Sequence, residues 1–270
     1  VDGLPAAEGR FDLKGNEIRV LDSPLPFEAK GKVVLGPKVV SLQEVSVSSA
    51  LGKVEAQASL DYRKPGGPWS VEGKMDEIRL DRFATSLPPL KEALASSELA
   101  GTCDIRFAFN SDAGHREAMV QGGLSSFRYS PARKPVATHH ASNASQRGAP
   151  RPRQIQLQKV SYLVKMDENR LEISSIAVSD PALRLLIQGM LPLGFNDLAP
   201  LSRRGNIHAF QEDCDLQLAL DDADLALLPI ASGLTGSTRG RIHLHGPTSL
   251  PLLEVDFAST FGVPTPTLGG

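Results

Sequence analysis

Apolar and polar residues alternate along much of this chain with a period of two. In residues 53–60, apolar side chains occupy the even positions, and Lys, Glu, Gln or Ser occupies each odd one. Successive side chains of a strand point to opposite faces, so this pattern predicts a strand with one apolar and one polar face. Similar runs, separated by turn-forming residues, extend through both halves of the chain. They predict a mainly β protein with antiparallel neighbours.

Helical periodicity is confined to short stretches. Residues 83–98 carry leucines at spacings of three and four, Ser86 provides a cap, and Gly101 is expected to end the helix. A second short helical turn is predicted near residues 225–233. The chain should therefore contain one or two short helices. The segment Lys14-Gly15-Asn16 is interpreted as a turn.

The strand pattern repeats within the chain. The alternation of residues 45–60 recurs at 176–191 with a constant offset, and later matches have slightly larger offsets because the loops differ in length. The aligned positions include Val47 with Val178, Asp76 with Asp221, and Gly101 with Gly240. We interpret the chain as two copies of one unit that consists of three strands, a short helix, a glycine and a strand.

Residues 128–153 differ in kind from their surroundings. They hold six Lys or Arg, four Pro and no acidic residue. Such a stretch buries too little apolar surface to offset the entropy of ordering it. We therefore predict a first β unit at residues 1–127, a disordered basic insertion at 128–153, and a second, partial unit at 154–270.

Two architectures fit this pattern. An antiparallel sheet with one polar face leaves an apolar face that must be covered, and the chain has few helices to cover it. One solution is a long curled antiparallel sheet that keeps an open, groove-like channel. The alternative is an array of β-sandwiches in which two sheets close on each other.

Composition excludes several functional classes. The net charge of -2 and the pI near 6.3 argue against a general nucleic-acid binder. No nucleophile, phosphate-binding or dinucleotide motif is present, so we predict no enzyme and no cofactor. His243 and His245 share a strand face, but no acid or cysteine at a suitable sequence spacing completes a metal site, so none is predicted.

The chain contains two cysteines. Cys103 and Cys214 lie in strand-like runs without a C-x-x-C pair, so a zinc site has no support. A disulfide is the alternative, but we predict buried free thiols, since cysteine commonly behaves as a small apolar residue. No apolar run approaches the ~20 residues that span a bilayer. Both ends look like cuts in a longer polypeptide.

The run MDEIRLDRFATSLPPLKEALASSELAGTCDIRFAFN resembles the AsmA-like and TamB-like proteins of Gram-negative bacteria. LQEVSVSSALGKVEAQASLDYR is similar to the strand pair that precedes it in such units. The resemblance covers most of the chain outside residues 128–153. It implies a periplasmic, curled β-sheet whose inner-membrane anchor lies outside this chain. It also implies a hydrophobic groove that carries phospholipid acyl chains between membranes or supports outer-membrane assembly, with outer-membrane assembly proteins as further partners.

Alternation and resemblance together predict which residues would line such a groove. The alternative is that these residues form an ordinary sandwich core in a non-catalytic surface or adhesion module. The candidates are Val45, Val47, Val54, Ala56, Leu60, Ile105, Phe107, Ile176, Val178, Leu185 and Ile187.

Overall fold

The computed structural model describes residues 7–20, 23–49, 52–63, 67–82, 98–112, 114–130, 155–195, 212–224 and 235–262. These residues form thirteen β-strands in one sheet. The strands are β1 (Ala7–Val20), β2 (Ser23–Leu35), β3 (Val39–Ser49), β4 (Gly52–Asp61), β5 (Trp69–Arg79), β6 (Glu98–Asp112), β7 (His115–Ser130), β8 (Ile155–Met166), β9 (Leu171–Asp180), β10 (Leu183–Leu191), β11 (Asp213–Asp224), β12 (Thr235–Pro247) and β13 (Leu252–Gly262).

The sheet is an open antiparallel meander. Each strand pairs with its neighbours in the sequence, from β1 at one edge to β13 at the other. Within the described part of the chain, strands pack against their sequence neighbours and no second sheet lies over the first. The prediction of a long curled antiparallel sheet is thus confirmed, and the alternative of a β-sandwich array is wrong.

Every odd-numbered strand from β1 to β11 carries one extra residue relative to a neighbouring strand. The bulges lie at residues 16–17, 43–44, 76–77, 126–127, 174–175 and 221–222. Four of them contain a non-glycine residue with positive φ: Glu44, Glu77, Ser126 and Asp222, at 52° to 58°. A bulge bends its strand and increases the local twist. The bulged strands all run in the same direction, so their bends add up. The repeated bulges therefore curl the sheet progressively.

The register supports the repeat. The pair Val47–Val54 of β3 and β4 corresponds to the pair Val178–Leu185 of β9 and β10, as the alignment predicts. The bulges at 43–44 and 174–175 are related by the same offset along the chain. On the next pair of strands, the bulges at 76–77 and 221–222 coincide with the predicted match of Asp76 with Asp221.

The predicted match of Gly101 with Gly240 is wrong. Met75 pairs with Ile105, and its equivalent Leu220 pairs with Gly240, so Gly240 corresponds to Ile105. The equivalent of Gly101 is then Gly236, and both glycines have φ of +134°. Sequence alignment alone missed this because alternating strands match equally well after a shift of two or four positions.

Three predicted local features change. β1 is continuous through Lys14-Gly15-Asn16, and the irregularity there is a bulge instead of a turn. β6 begins at Glu98, so Gly101 lies inside a strand and does not end a helix. β7 continues to Ser130, and its end therefore lies within the predicted insertion.

The predicted helices lie mostly outside the described residues. A single helical turn is seen at residues 80–82, while 83–97 and 225–234 are not described. Most of the basic insertion, residues 131–153, also lies outside the described residues. No helix among the described residues has the length and apolar character needed to cross a membrane.

Candidate functional site: a continuous apolar face

The two faces of the sheet differ sharply in chemistry. Directly paired residues of antiparallel strands share a face, as do alternate residues along one strand. The even-numbered strands are regular over their described pairing, so their alternation assigns each side chain to a face without ambiguity. By this criterion, the buried hydrophobic residues of the sheet all lie on one face, which we call the apolar face. They are Ala29, Ile78, Cys103, Ala118, Val160, Val178, Cys214 and Ala223.

A line of cross-strand neighbours crosses the apolar face from one edge of the sheet to the other. This first ladder takes one residue from each of the thirteen strands. Its members are Leu13, Ala29, Val47, Val54, Met75, Ile105, Gly122, Tyr162, Ile176, Ile187, Leu218, Ile242 and Val255. Twelve steps of about 4.8 Å between strands make it roughly 58 Å long.

Two further ladders run beside the first. The second ladder extends from β3 to β13 through Val45, Ala56, Gly73, Phe107, Val120, Val164, Ile173, Gly189, Leu216, Leu244 and Leu253. The third extends from β5 to β13 through Ile78, Cys103, Leu124, Val160, Val178, Leu185, Leu220, Gly240 and Phe257. No position of the three ladders carries a charged side chain.

All eleven predicted groove residues lie on the apolar face. Ten belong to the three ladders, and the eleventh, Leu60, lies beyond them between its partners Val40 and Trp69. Other ladder members, among them Met75, Tyr162 and Ile242, were not among the predicted groove residues. Period-two alternation was present in their strands, but only the register shows that each one continues a line across the sheet.

Much of the apolar face is accessible to solvent. Most ladder side chains are half-buried, and several large ones are exposed, such as Leu13 at 56%, Leu60 at 44% and Val255 at 55%. A strand face packed under a second sheet would bury such side chains almost completely. The described residues thus present an open apolar surface, not a closed core.

Glycines on this face lie opposite aromatic rings of the adjacent strand. Five such pairs occur: Gly15–Phe27, Gly31–Phe11, Gly73–Phe107, Gly122–Tyr162 and Gly240–Phe257. In each pair a Cβ on the glycine would fall within 2.2–2.7 Å of an atom of that aromatic side chain. The rings therefore lie over the glycine backbone, where they fill the missing side-chain volume and keep the apolar face continuous.

Tyr162 carries the only ionisable side chain of the first ladder. Its Oη donates to the backbone oxygen of Asp104 at 3.3 Å and lies 3.8 Å from Cys103 Sγ. Burial raises the pKa of Tyr162 well above its usual value, and burial also raises the pKa of the Cys103 thiol. Both groups therefore stay uncharged at neutral pH, so they do not interrupt the apolar surface. Cys103 and Cys214 are buried and free, which confirms the prediction.

The opposite, polar face carries ion pairs between neighbouring strands. Lys74 contacts Glu55 at 3.1 Å, and Lys165 contacts Glu172 at 3.8 Å. Hydrogen bonds from Lys53 and Lys74 hold the pKa of Glu55 below its usual range. Such exposed pairs add little stability but keep this face hydrated.

Depressions on the polar face do not indicate catalysis. One cavity of about 730 Å³ lies over β3 to β7 and is lined by Glu55, Gln57, Glu72 and Lys74, among others. Two of its acids are engaged, since Glu55 pairs with Lys74 and Glu72 accepts a hydrogen bond from Gln57.

Comparison with protein-family models, with curated proteins and with solved structures finds no match for this chain. The geometry of the apolar face must therefore carry the functional argument, together with the sequence resemblance described above.

Proposed function

We propose that the apolar face is a lipid groove that holds the acyl chains of phospholipids. The observation that carries this proposal is the first ladder, which is free of charge in all thirteen strands and accessible to solvent. Burial of each methylene group is worth about 0.8 kcal/mol, so acyl chains can bind without specific polar contacts. The groove would act without a cofactor and without catalysis.

The resemblance to AsmA-like and TamB-like proteins supplies the biological setting of the proposal. In that setting the chain is a periplasmic part of an envelope protein, anchored in the inner membrane by a segment outside this sequence. It moves phospholipid between membranes or supports outer-membrane biogenesis, with outer-membrane assembly proteins as partners. The roughly 58 Å length of the ladder supports a conduit, since it exceeds the ~30 Å hydrocarbon core of one bilayer.

A lipid-uptake assay tests the proposal. Delipidated protein is mixed with vesicles that contain a fluorescent phospholipid, and protein-bound fluorescence is measured after separation. Ile187→Asp places a charge on the first ladder and should reduce the bound lipid several-fold, because a carboxylate in contact with acyl chains is strongly unfavourable. The matched control is Gln188→Asp, the next residue of β10, which lies on the polar face.

Circular dichroism and thermal unfolding of both variants separate a loss of binding from a loss of folding. Uptake of no lipid by folded wild-type protein would contradict the proposal and would favour a surface or adhesion module. Equal lipid binding by folded Ile187→Asp and Gln188→Asp would contradict the assignment of the groove to the apolar face.

A further inference from the structure

A histidine–carboxylate cluster lies on the polar face near the β13 edge, on the opposite side of the sheet from the lipid groove. His243 and His245 are two positions apart on β12, so they share a face of the sheet. Their rings stack with centroids 4.5 Å apart. Glu254 of β13 is the direct cross-strand partner of His243. Its carboxylate reaches both rings, with Oε2 at 3.6 Å from His243 Nδ1 and Oε1 at 3.4 Å from His245 Nε2.

Each of these two separations is close to the edge of a tetrahedral zinc site, and they end on the two oxygens of one carboxylate. Zinc binds His nitrogen and carboxylate oxygen at roughly 2.0–2.2 Å, so two ligands at tetrahedral angles lie roughly 3.3–3.5 Å apart. The candidate ligand atoms of His243, His245 and Glu254 all lie within 4.8 Å of one another. Small side-chain rotations would bring all three onto one ion.

Asp215 provides the outer support that such a site needs. Its Oδ1 lies 2.9 Å from His243 Nε2, and because a carboxylate only accepts hydrogen bonds, His243 Nε2 is the donor. In the neutral ring this leaves the lone pair on Nδ1, the nitrogen that faces Glu254. A carboxylate that orients a zinc-ligating histidine through its other nitrogen is a recurrent arrangement in zinc proteins.

His245 supplies a second sign that a partner is missing. Its Nε2 atom is buried, and although Glu254 Oε1 lies 3.4 Å away, it makes no hydrogen bond with any part of the chain that the structure describes. Buried polar atoms in folded proteins are nearly always satisfied. A metal ion between His245 Nε2 and Glu254 would satisfy this nitrogen directly.

Solvent can reach the cluster. A depression of about 600 Å³ on the polar face borders His243 and Glu254. Glu254 itself is 70% exposed in its side chain, so an ion can enter without opening the sheet.

We propose that His243, His245 and Glu254 bind one Zn²⁺ ion, with Asp215 positioning His243 and water in the fourth coordination position. Two imidazoles and one carboxylate suit zinc better than the hard cations Ca²⁺ and Mg²⁺, which prefer oxygen ligands. All residues of β13 are exposed. The ion would link this edge strand to β12.

Zinc titration of tag-free, chelator-treated full chain tests the proposal by isothermal calorimetry. Wild-type protein should bind one Zn²⁺ at a site that His245→Gln and Glu254→Gln each weaken at least tenfold. Asp215→Asn should weaken it by roughly 10–100-fold, as loss of an outer-shell partner usually does. His115→Gln is the matched control, because His115 is a surface histidine outside the cluster, with 86% of its side chain exposed.

A thermal-shift measurement provides the second readout. Zn²⁺ should raise the unfolding temperature of wild-type and His115→Gln protein but not that of His245→Gln, since an ion that binds only the folded state stabilises it. Mg²⁺ should have no such effect. Equal zinc affinity of wild-type and His245→Gln protein, or the absence of a one-to-one site in folded wild-type protein, would overturn the proposal.

Discussion

At the residue scale, the glycines of the apolar face are as important as its large side chains. Gly122 illustrates the reason, since a Cβ there would lie 1.9 Å from the backbone oxygen of Asp104 and 2.7 Å from Tyr162 Oη. Tyr162 occupies the space that a side chain would need. The two residues therefore act as one unit on neighbouring strands, and neither can be changed independently.

We predict that Gly122→Ala lowers the free energy of unfolding by about 1–3 kcal/mol, the usual cost of overpacking. The methyl group would collide with backbone, which cannot rotate away. Gly9→Ala is the matched control: Gly9 also lies in a strand, but a Cβ there meets nothing within 4 Å. Urea denaturation should show that Gly9→Ala is neutral or slightly stabilising. Equal destabilisation by both changes would contradict the close packing assigned to Gly122.

At the element scale, the bulges reconcile curvature with a constant apolar face. In β5, Met75 and Ile78 are three positions apart, yet they pair with Ile105 and Cys103, which are two positions apart. The bulge absorbs the extra residue, so both side chains stay on the apolar face. The Glu77 N–H donates to Asp104 Oδ1 at 2.8 Å, so the unpaired backbone group of this bulge is satisfied.

Deletion of Glu77 should therefore be tolerated, because Met75 and Ile78 would then be two positions apart in a regular strand. We expect a folded sheet with a loss of stability of at most about 2 kcal/mol. Deletion of Glu72, a polar-face residue of the same strand, is the matched comparison. It would turn Trp69 and Val71 to the polar face and should abolish cooperative unfolding. Circular dichroism with urea titration measures both, and the reverse order of damage would contradict this view of the bulge.

At the scale of the whole molecule, the ladders join the two predicted units into one surface. The first ladder passes from β7 to β8 through Gly122 and Tyr162 without interruption. The repeat therefore acts as one continuous sheet rather than as two separate cores. If this surface holds lipid as proposed, it offers binding length instead of a single pocket.

Because of this length, we predict that the wild-type protein binds at least two phospholipids. One leaflet of a bilayer core is about 15 Å thick, so chains from several lipids fit along roughly 58 Å. Ile105→Asp, in the middle of the first ladder, should lower the maximum number without reducing it to zero. Arg106→Asp on the polar face is the control. Native mass spectrometry gives the count, and saturation by a single lipid would contradict the prediction.

Alternation was sufficient to predict the strands and the shared face of the candidate groove residues. Val54, Ala56 and Leu60 are an example, since β4 is regular and its period of two survives in the fold. The predictions failed where a residue type has two roles. Gly15 suggested a turn, and Gly101 suggested a helix end, but both lie within strands because an aromatic ring or a bulge on the next strand accommodates them.

Contacts between strands could not be predicted from the sequence. Glu254 follows His245 at no recognisable metal-binding spacing, yet the β12–β13 register places its carboxylate beside both rings. The equivalence of Gly101 and Gly236 could not be predicted for a related reason. Alternation is unchanged when two strands are shifted by two or four residues, so it does not define a single register.

The sequence alone determined that the protein is a set of two-faced antiparallel strands, because alternation is a local property of the chain and strand geometry converts it directly into faces. The tertiary structure decided how those faces combine. Register and bulges, which depend on pairing between distant residues, joined them into one open sheet with an unbroken apolar ladder instead of two sheets closed on each other.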